Sequence, residues 1–348
     1  MKRRPEAERS AERVSLIIPA HQVRPELIRC LAGVRNLDPP PLETLIVVDG
    51  PDDASFRKLG MEDVKILCTG RRIGPAGARN LGAAAARGEV LLFIDSDVEV
   101  PADLIRQVQS CFSADPEVDA IIGSYDADPG AKDFLSVYRN LLHHYVHQEA
   151  SEDASTFWGG CGAIRRRVFL RVGGFDEGFR RPSIEDIELG YRLKQAGARI
   201  RLVKTIQVKH LKRWTPGNLV KTDLLDRAYP WSLLLLQRKQ WRNDLNIRLE
   251  HRISTALTGL FLAAAAGSPW APSLLLLSSG TFFLWMGLNW KLYRFFARRR
   301  GWRFAVKVVP WQGVYYLCCG VGFAAAWATW LHDRINNRME PSTQAESK

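Results

Sequence analysis

Four short apolar runs, each broken at once by residues that end a strand, constrain this chain more than any other feature. Val14–Ala20 (VSLIIPA), Leu45–Val48, Val64–Cys68 and Val90–Ile94 are too short for helices and apolar on both faces. That is the pattern of strands buried within a parallel sheet. Helix signals separate them. Leu27, Leu31 and Val34 recur at helical spacing, and Pro75 opens an alanine-rich stretch within GPAGARNLGAAAARG. Proline suits a helix's first turn and alanine its body. Pro101–Cys111 reads as a further helix and Val118–Ser124 as a fifth strand. Strands alternating with helices predict a doubly wound α/β sheet. Ligands of such sheets bind in the crevice beyond the carboxyl ends of the strands. Ala20, Asp49 and Asp95–Asp97 all fall at strand ends and are expected to converge there.

The character of the chain changes after residue 250. Three apolar stretches follow, Ile253–Ser268, Ser273–Trp290 and Val308–Leu331, of which the last is long enough to cross a bilayer. The proline-bearing SPWAPS at 268–273 reads as the turn of a helical hairpin, and KLYRFFARRRGWR at 291–303 as a basic loop on the cytoplasmic side. Trp270, Trp285 and Trp290 lie near segment ends, as in an aromatic belt. The 348-residue chain has a formal net charge of +12. Residues from His251 onward hold 11 Lys/Arg against 3 Asp/Glu, so the excess lies with the apolar part. This points to an anionic membrane surface and not to nucleic acid. The expected organisation is a polar segment at 1–13, an α/β domain at 14–225, a linker or interfacial helix at 226–252, a membrane anchor at 253–331 and a polar tail at 332–348. Residues 1–13 have no apolar core of a signal peptide. The catalytic part is therefore expected on the cytoplasmic face of a multi-pass protein of the cell (inner) membrane. Cys30, Cys68, Cys111, Cys161, Cys318 and Cys319 form no C-x-x-C pair, which argues against a zinc knuckle or thioredoxin-type site and for free thiols.

The chemistry-bearing residues cluster in a few places. Asp95-Ser96-Asp97 follows the apolar VLLFI, and two carboxylates one residue apart at a strand end suit Mg²⁺ or Mn²⁺ bridging a diphosphate. Asp49 ends the second strand, placed to accept from a base N–H or a ribose hydroxyl, while Asp52 and Asp53 read as turn residues as readily as ligands. The glycine-rich Gly74–Gly82 is neither G-x-G-x-x-G nor a P-loop. Arg79 within it either approaches a diphosphate or lies solvated on a helix face. Ser183 and Asp186 match a capping box, with Ser183 as N-cap and Asp186 as the third helical residue. Asp186 is also a candidate general base, flanked by Glu185 and Glu188. His210 ends a basic strand, RLVKTIQVKH, and opens HLKRW. It is placed to complete a metal shell, with Arg213 as a phosphate cation and Trp214 as an aromatic platform. His143 and His147 share a helix face without the glutamate of H-E-x-x-H, so a structural or acceptor-side role is expected for them and for His144.

Taken together, VSLIIPAH, IVVDG, GPAGARNLGAAAARGEVLLFIDSD, WGGCGAIRRRVFLRVGGFDEGF and EDIELGYRLKQAG resemble, in order, the family 2 glycosyltransferases of the GT-A fold over residues 14–225. HLKRW is similar to the (Q/R)-x-x-R-W element of processive polysaccharide synthases and ceramide glucosyltransferases, with His210 where Gln or Arg stands. The resemblance implies an inverting, metal-dependent transfer from a nucleoside-diphosphate sugar. Pro19, Ala20, Asp49, Arg79, Asp95 and Ser96 would hold the donor. Asp97, with Asp95 and His210, would hold Mn²⁺ or Mg²⁺, and Asp186 would be the base. Trp158, Gly159, Gly160, Glu185, Arg213 and Trp214 would lie near the acceptor or diphosphate. A lipid or lipid-linked acceptor suits a membrane anchor. The usual second Asp directly after Asp49 is missing in IVVDGPDD. A sugar-phosphate nucleotidyltransferase lacks support, because no G-x-G-T-R loop follows the first strand. A dinucleotide oxidoreductase would need G-x-G-x-x-G where Pro19-Ala20-His21 stands. A non-catalytic membrane scaffold on a transferase fold is the reading of a different class, against which the intact Asp95, Asp97 and Asp186 argue.

Overall fold

The computed structural model describes residues 12–59, 63–238 and 248–339. Most of the expected polar N-terminal segment, the 239–247 part of the expected linker and the end of the polar tail lie outside the described residues. The chain divides into two compact units, Met1–Arg213 and Trp214–Lys348.

The first unit runs β1 (Val14–Ala20), α1 (Pro25–Arg35), β2 (Glu43–Val48), α2 (Ala54–Arg57), β3 (Val64–Cys68), α3 (Pro75–Ala85), β4 (Val90–Ile94), β5 (Val98–Glu99), α4 (Leu104–Ala114), β6 (Ala120–Tyr125), α5 (Phe134–Glu149), β7 (Cys161–Arg165), α6 (Arg166–Arg171), α7 (Glu185–Gln195) and β8 (Ile200–His210). The strands form one sheet in the order β3-β2-β1-β4-β7-β6-β8-β5. β3, β2, β1 and β4 are parallel, as the apolar runs predict. While β3 at the sheet edge is only partly buried, the side chains of β1, β2 and β4 are buried on both faces, with Leu16, Ile17, Ile18 and Phe93 fully enclosed. Each such side chain contributes roughly 1.5–3 kcal/mol by burial.

The sheet is mixed, however, and departs from a purely wound parallel one. β7 is antiparallel to both β4 and β6, with Ile94 opposite Cys161. β5 is antiparallel to β8, with Val98 opposite His210. These reversals position the crevice. β7 starts beside the point where β4 ends, so the residues just before it, Trp158-Gly159-Gly160, arrive next to Asp95. β8 ends where β5 begins, so His210 arrives next to Asp97. The aromatic rings of Phe93, Phe157, Phe169 and Phe175 pack together beneath, with centroids 5.3–6.3 Å apart. All six cysteines are free thiols.

The second unit is helical: α8 (Pro216–Lys221), a π-helical turn (Thr222–Ala228), α9 (Tyr229–Arg238), α10 (Leu249–Gly267), α11 (Leu274–Leu288), α12 (Trp290–Arg300) and α13 (Trp302–Met339). Thr215 and Asn218 form a reciprocal capping box at the start of α8. α10 and α11 pack as a hairpin across the proline-bearing turn, as expected. The three expected spans are not three equal helices. α11 has 15 residues, about 22 Å of helix, which is short of a hydrocarbon core about 30 Å thick. Among the described residues one helix, Trp302–Asn336, is long and apolar enough to cross a membrane. It absorbs Pro310 and extends well beyond the expected segment. A polar chain links these helices. Tyr316 Oη donates to Asn289 Oδ1 at 2.7 Å, Asn289 Nδ2 donates to Ser254 Oγ at 2.9 Å, and His251 Nδ1 lies 3.2 Å from Tyr316 Oη.

Gly190 of α7 lets the helix lie directly on the backbone of 156–157, where a Cβ would come 2.3 Å from Phe157 N and 2.4 Å from Thr156 Cα. Neither neighbour is a flexible side-chain tip. Gly190→Ala is expected to destabilise the first unit by about 1–3 kcal/mol or more. Gly217→Ala, where a Cβ meets nothing within 4 Å, should be near neutral. Thermal unfolding of the full chain followed by tryptophan fluorescence checks both.

Candidate active site

The carboxyl ends of β1, β2 and β4 form the crevice floor. Asp49 N–H donates to Ala20 carbonyl oxygen at 2.7 Å, continuing the β1–β2 pairing beyond Pro19 and Ala20. The Asp49 carboxylate accepts from Ile73 N at 2.7 Å and from Gly74 N at 3.1 Å. It therefore anchors the turn that launches α3. Gly74 is required there, since its φ is 91° and a Cβ would lie 2.5 Å from Arg180 carbonyl oxygen. Of the two other acids, Asp53 caps α2 through Ser55 N at 2.8 Å, and Asp52 pairs with Arg57. Both act as turn residues.

Asp95, Ser96 and Asp97 are half-buried on the turn between β4 and β5. Arg79, expected to be solvated or to reach a diphosphate, is not solvated. It is 4% exposed, and both tips of its fork are engaged, Nη2 with Asp95 Oδ1 at 2.7 Å and Nη1 with Glu185 Oε1 at 2.9 Å. A guanidinium in this sequence context is buried because α3 packs against the sheet along its glycine and alanine face. Glu185, expected on the acceptor side, is likewise only 4% exposed and points inward to Arg79. Burial, with Asp97 alongside, raises the Asp95 carboxyl above its usual range despite Arg79. Burial acts the same way on Asp97, but His210 and then Lys212 outweigh it and hold Asp97 below the usual range.

His210 Nε2 lies 3.7 Å from Asp97 Oδ2. The reversal of β8 against β5 produces this pairing, reinforced by Leu211 N donating to Asp97 carbonyl oxygen at 2.8 Å. The His210 ring is stacked on Tyr125, centroids 4.2 Å apart and planes 12° off parallel. Tyr125 in turn meets the Trp158 edge at 4.9 Å and His143 at 4.4 Å. His143, His147 and Trp158 continue the cluster, while His144 and His147 each place Nδ1 on a β6 carbonyl, Tyr125 at 2.7 Å and Gly123 at 3.0 Å. The histidines of α5 thus form the packed wall of the crevice.

A divalent cation is what the family resemblance implies. Among the described residues no three His, Cys, Asp or Glu side chains gather closely enough to hold a metal by themselves. Asp97 and His210 fit a cation that takes its other ligands from a diphosphate and water, as oxygen-seeking Mg²⁺ and Mn²⁺ commonly do. Asp95 shares its Oδ1 with Arg79 at 2.7 Å.

Asp186 lies at the start of α7. The cap differs from expectation: Ile184 is the N-cap and Asp186 the second helical residue, while Glu185 folds back to accept from Ser183 N at 2.9 Å. Asp186 Oδ2 accepts from Gly159 N at 3.0 Å and Oδ1 from Ile187 N at 2.8 Å. The helix N-terminus favours negative charge there. Gly159 is tightly packed, and an added Cβ would come 3.0 Å from Arg79 Cζ, so that Arg79 would have to give way. Gly160 is followed by Cys161, whose thiol burial pushes up to about 12, which removes it as a nucleophile. Arg213 is exposed, its Nε 3.6 Å from Asp133 Oδ2. Trp214 is 5% exposed and so is a packed side chain, not an open platform.

Asn80, next to Arg79, was not singled out by the sequence. Its amide Oδ1 accepts from Phe175 N at 2.8 Å and Nδ2 donates to Phe175 carbonyl oxygen at 2.9 Å, so it acts as a strand partner for the loop leading to α7. Tyr125 was missed as well, since nothing local in AIIGSYD sets its ring over a histidine that follows much later in the chain.

Residues 15–173 match the family model Glycosyl transferase family 2, and residues 140–214 match the N-terminal domain of galactosyltransferase. The first unit carries a family 2 glycosyltransferase domain. Among curated proteins, the chain is 28% identical over 226 residues to polypeptide N-acetylgalactosaminyltransferase 10 of Rattus norvegicus, covering 57% of this chain and 38% of that one. It is 29% identical over 240 residues to polypeptide N-acetylgalactosaminyltransferase 3 of Drosophila melanogaster, covering 58% and 36%. The chain thus spans well under half the length of these relatives. Among solved structures, a mannosyltransferase from Pyrobaculum calidifontis in complex with GDP-mannose and Mn²⁺ is similar with a TM-score of 0.59 at 20% identity, covering 91% of this chain and 88% of that one. The likeness is one of fold, an α/β domain of the GT-A kind.

Removing one member of a buried ion group strands the others. Arg79→Met is expected to cost about 3–5 kcal/mol. The second measurement is whether Arg79→Lys rescues; a single ammonium cannot serve two carboxylates as a fork does, so rescue should be partial. Chemical denaturation of the full chain reads both.

Proposed function

We propose that this protein is an inverting glycosyltransferase that moves a sugar from a nucleoside diphosphate to a hydroxyl or phosphate of a membrane lipid. The observation that carries the transferase reading is the convergence of Asp97 with His210 and of Asp186 with Gly159 on one crevice of a family 2 domain. The relatives and the mannosyltransferase with GDP-mannose and Mn²⁺ support a nucleotide-sugar donor.

In this reading Pro19, Ala20 and the backbone around Asp49 form the nucleoside wall, and Ser96 lies beside the diphosphate. Asp97 and His210 hold a divalent cation, which when bound neutralises charge on the leaving diphosphate. Asp186, held by the Gly159 N–H, takes the proton of an acceptor hydroxyl. The acceptor oxygen forms a bond to the anomeric carbon as the bond from that carbon to the diphosphate oxygen breaks. Configuration inverts, and the nucleoside diphosphate departs with its electron pair. If the acceptor is a phosphate, it arrives ionised and Asp186 has little proton to remove. In this reading Trp158 and Gly160 border the acceptor side, and the exposed Arg213 offers a cation to an anionic group. HLKRW, the element similar to that of ceramide glucosyltransferases, contributes His210 and Arg213.

The lipid acceptor rests on α13 and on the basic α12, with the catalytic domain on the cytoplasmic face of the cell membrane. A second reading is favoured by the names of the relatives: a serine or threonine hydroxyl of a polypeptide as acceptor. One experiment separates them. The protein in detergent is given Mn²⁺ or Mg²⁺, a panel of nucleotide sugars, and either membrane-lipid extract or Ser/Thr-rich peptides, and release of free nucleoside diphosphate is followed. Release is expected to grow with lipid and to stop on chelation of the metal. Growth with peptide alone would transfer the acceptor to polypeptide. Asp97→Ala should abolish release, and Asp186→Asn should lower kcat about 10²–10⁴-fold for a hydroxyl acceptor. Folded protein with no release from any donor would favour the scaffold reading.

A further inference from the structure

α10, α11 and α13 line an open-sided apolar cavity of about 360 Å³, bordered by Phe261, Phe282, Trp285, Pro310, Gly313 and Leu317. That volume lies within the range of ligand pockets. The wall is open at Gly313, where an added Cβ would meet nothing within 4 Å. Along α13, Arg303, Lys307, Pro310, Val314 and Leu317 recur at four- and three-residue spacing, so they share one helix face. Lys307 sits one turn, about 4.5 Å of helix axis, before Pro310. Arg303 and Lys307 are both exposed. Residues 251–332, which carry both cations, contain no Asp or Glu.

We propose that this face of the helical unit is a binding site for a single anionic lipid, with one hydrocarbon chain in the cavity and its phosphate on Arg303 and Lys307. Hydrocarbon matches a wall that offers almost only apolar side chains, and a phosphate matches two cations on the same face with no carboxylate to pair them within the unit's central stretch. A free phosphate would leave the cavity empty, and a neutral lipid would leave the cations facing no charge. The inference rests on the membrane reading of this unit and not on the transfer reaction.

The test uses the full chain in nanodiscs of phosphatidylcholine carrying trace spin-labelled lipid, with electron paramagnetic resonance reporting the motionally restricted fraction. Spin-labelled phosphatidylglycerol is expected to be restricted in preference to spin-labelled phosphatidylcholine. Arg303→Gln with Lys307→Gln should reduce that preference about fivefold for each cation removed. Gly313→Leu, which fills the open wall and is a better helix former, should lower the restricted fraction of the anionic lipid without unfolding α13. Arg298→Gln with Arg299→Gln, on α12 outside this face, should leave most of the preference in place. Equal restriction of the two lipids in the wild-type protein would overturn the site. So would an equal loss in the α12 variant, which would assign the effect to diffuse basic charge. Failure of the membrane reading is distinguishable, because the protein would then remain in the supernatant after detergent-free lysis and high-speed centrifugation.

Discussion

Arg79 is a cation taken out of water, and the arrangement of the crevice follows from what it takes to keep it there. An isolated buried charge costs several kcal/mol, so it persists only where partners surround it. Asp95 and Glu185 take the two ends of its fork. The Phe175 ring lies 5.4 Å from its Cζ, and the Gly159 backbone packs so close that an added Cβ would lie 3.0 Å from it. Four separate segments therefore meet at one side chain: α3, the β4–β5 turn, the 158–160 segment and the start of α7. A shift of any one would strand a charge. Asp97 and Asp186 are each next but one or next to an Arg79 partner, so their separation is set by the same buried side chain.

The same group explains the division of labour between the paired acids. Asp95 and Asp97 are chemically identical and one residue apart, yet Arg79 takes the first, while His210 and Lys212 act on the second and lower its proton affinity. The two acids therefore differ in partner and in proton affinity, Asp95 raised by burial and Asp97 lowered by His210. Spacing alone makes the two residues equivalent; the field around them does not.

What the sequence made legible follows from how local each signal is. The parallel half of the sheet was readable because β1, β2 and β4, buried on both faces, are apolar almost throughout, and the positions of Ala20, Asp49 and Asp95–Asp97 at strand ends came with it. β7 was not readable as an antiparallel strand, because CGAIR has the same composition whichever way it runs. The direction depends on where the preceding chain delivers it. The burial of Arg79 was hidden for a related reason. Arginine in a glycine- and alanine-rich helix reads as a surface cation until its partners, Glu185 above all, arrive from more than a hundred residues later. Asn80 and Tyr125 escaped because their partners, the Phe175 backbone and the His210 ring, are equally remote in the chain. The start of α7 was readable despite a misplaced cap, since its acids mark the helix start to within a residue or two.

The helical unit poses a different physical problem, because its polar groups lie among apolar helices. Ser254, Asn289, Tyr316 and His251 are connected in one hydrogen-bonded chain across α10, α11, α12 and α13. Such a network is worth most where water is scarce and an unmet polar group is costly. It therefore fixes the packing of α13 against the hairpin more specifically than leucine and alanine contacts alone, which slide at little cost. The cavity between those helices survives for the same reason: the polar chain sets the spacing on one side, and the small Gly313 fails to fill the space on the other. A unit built only from apolar contacts would relax to close a void of that size, because its walls lose dispersion contacts with nothing opposite them. A fixed frame with an unfilled apolar interior is the arrangement that a hydrocarbon ligand completes.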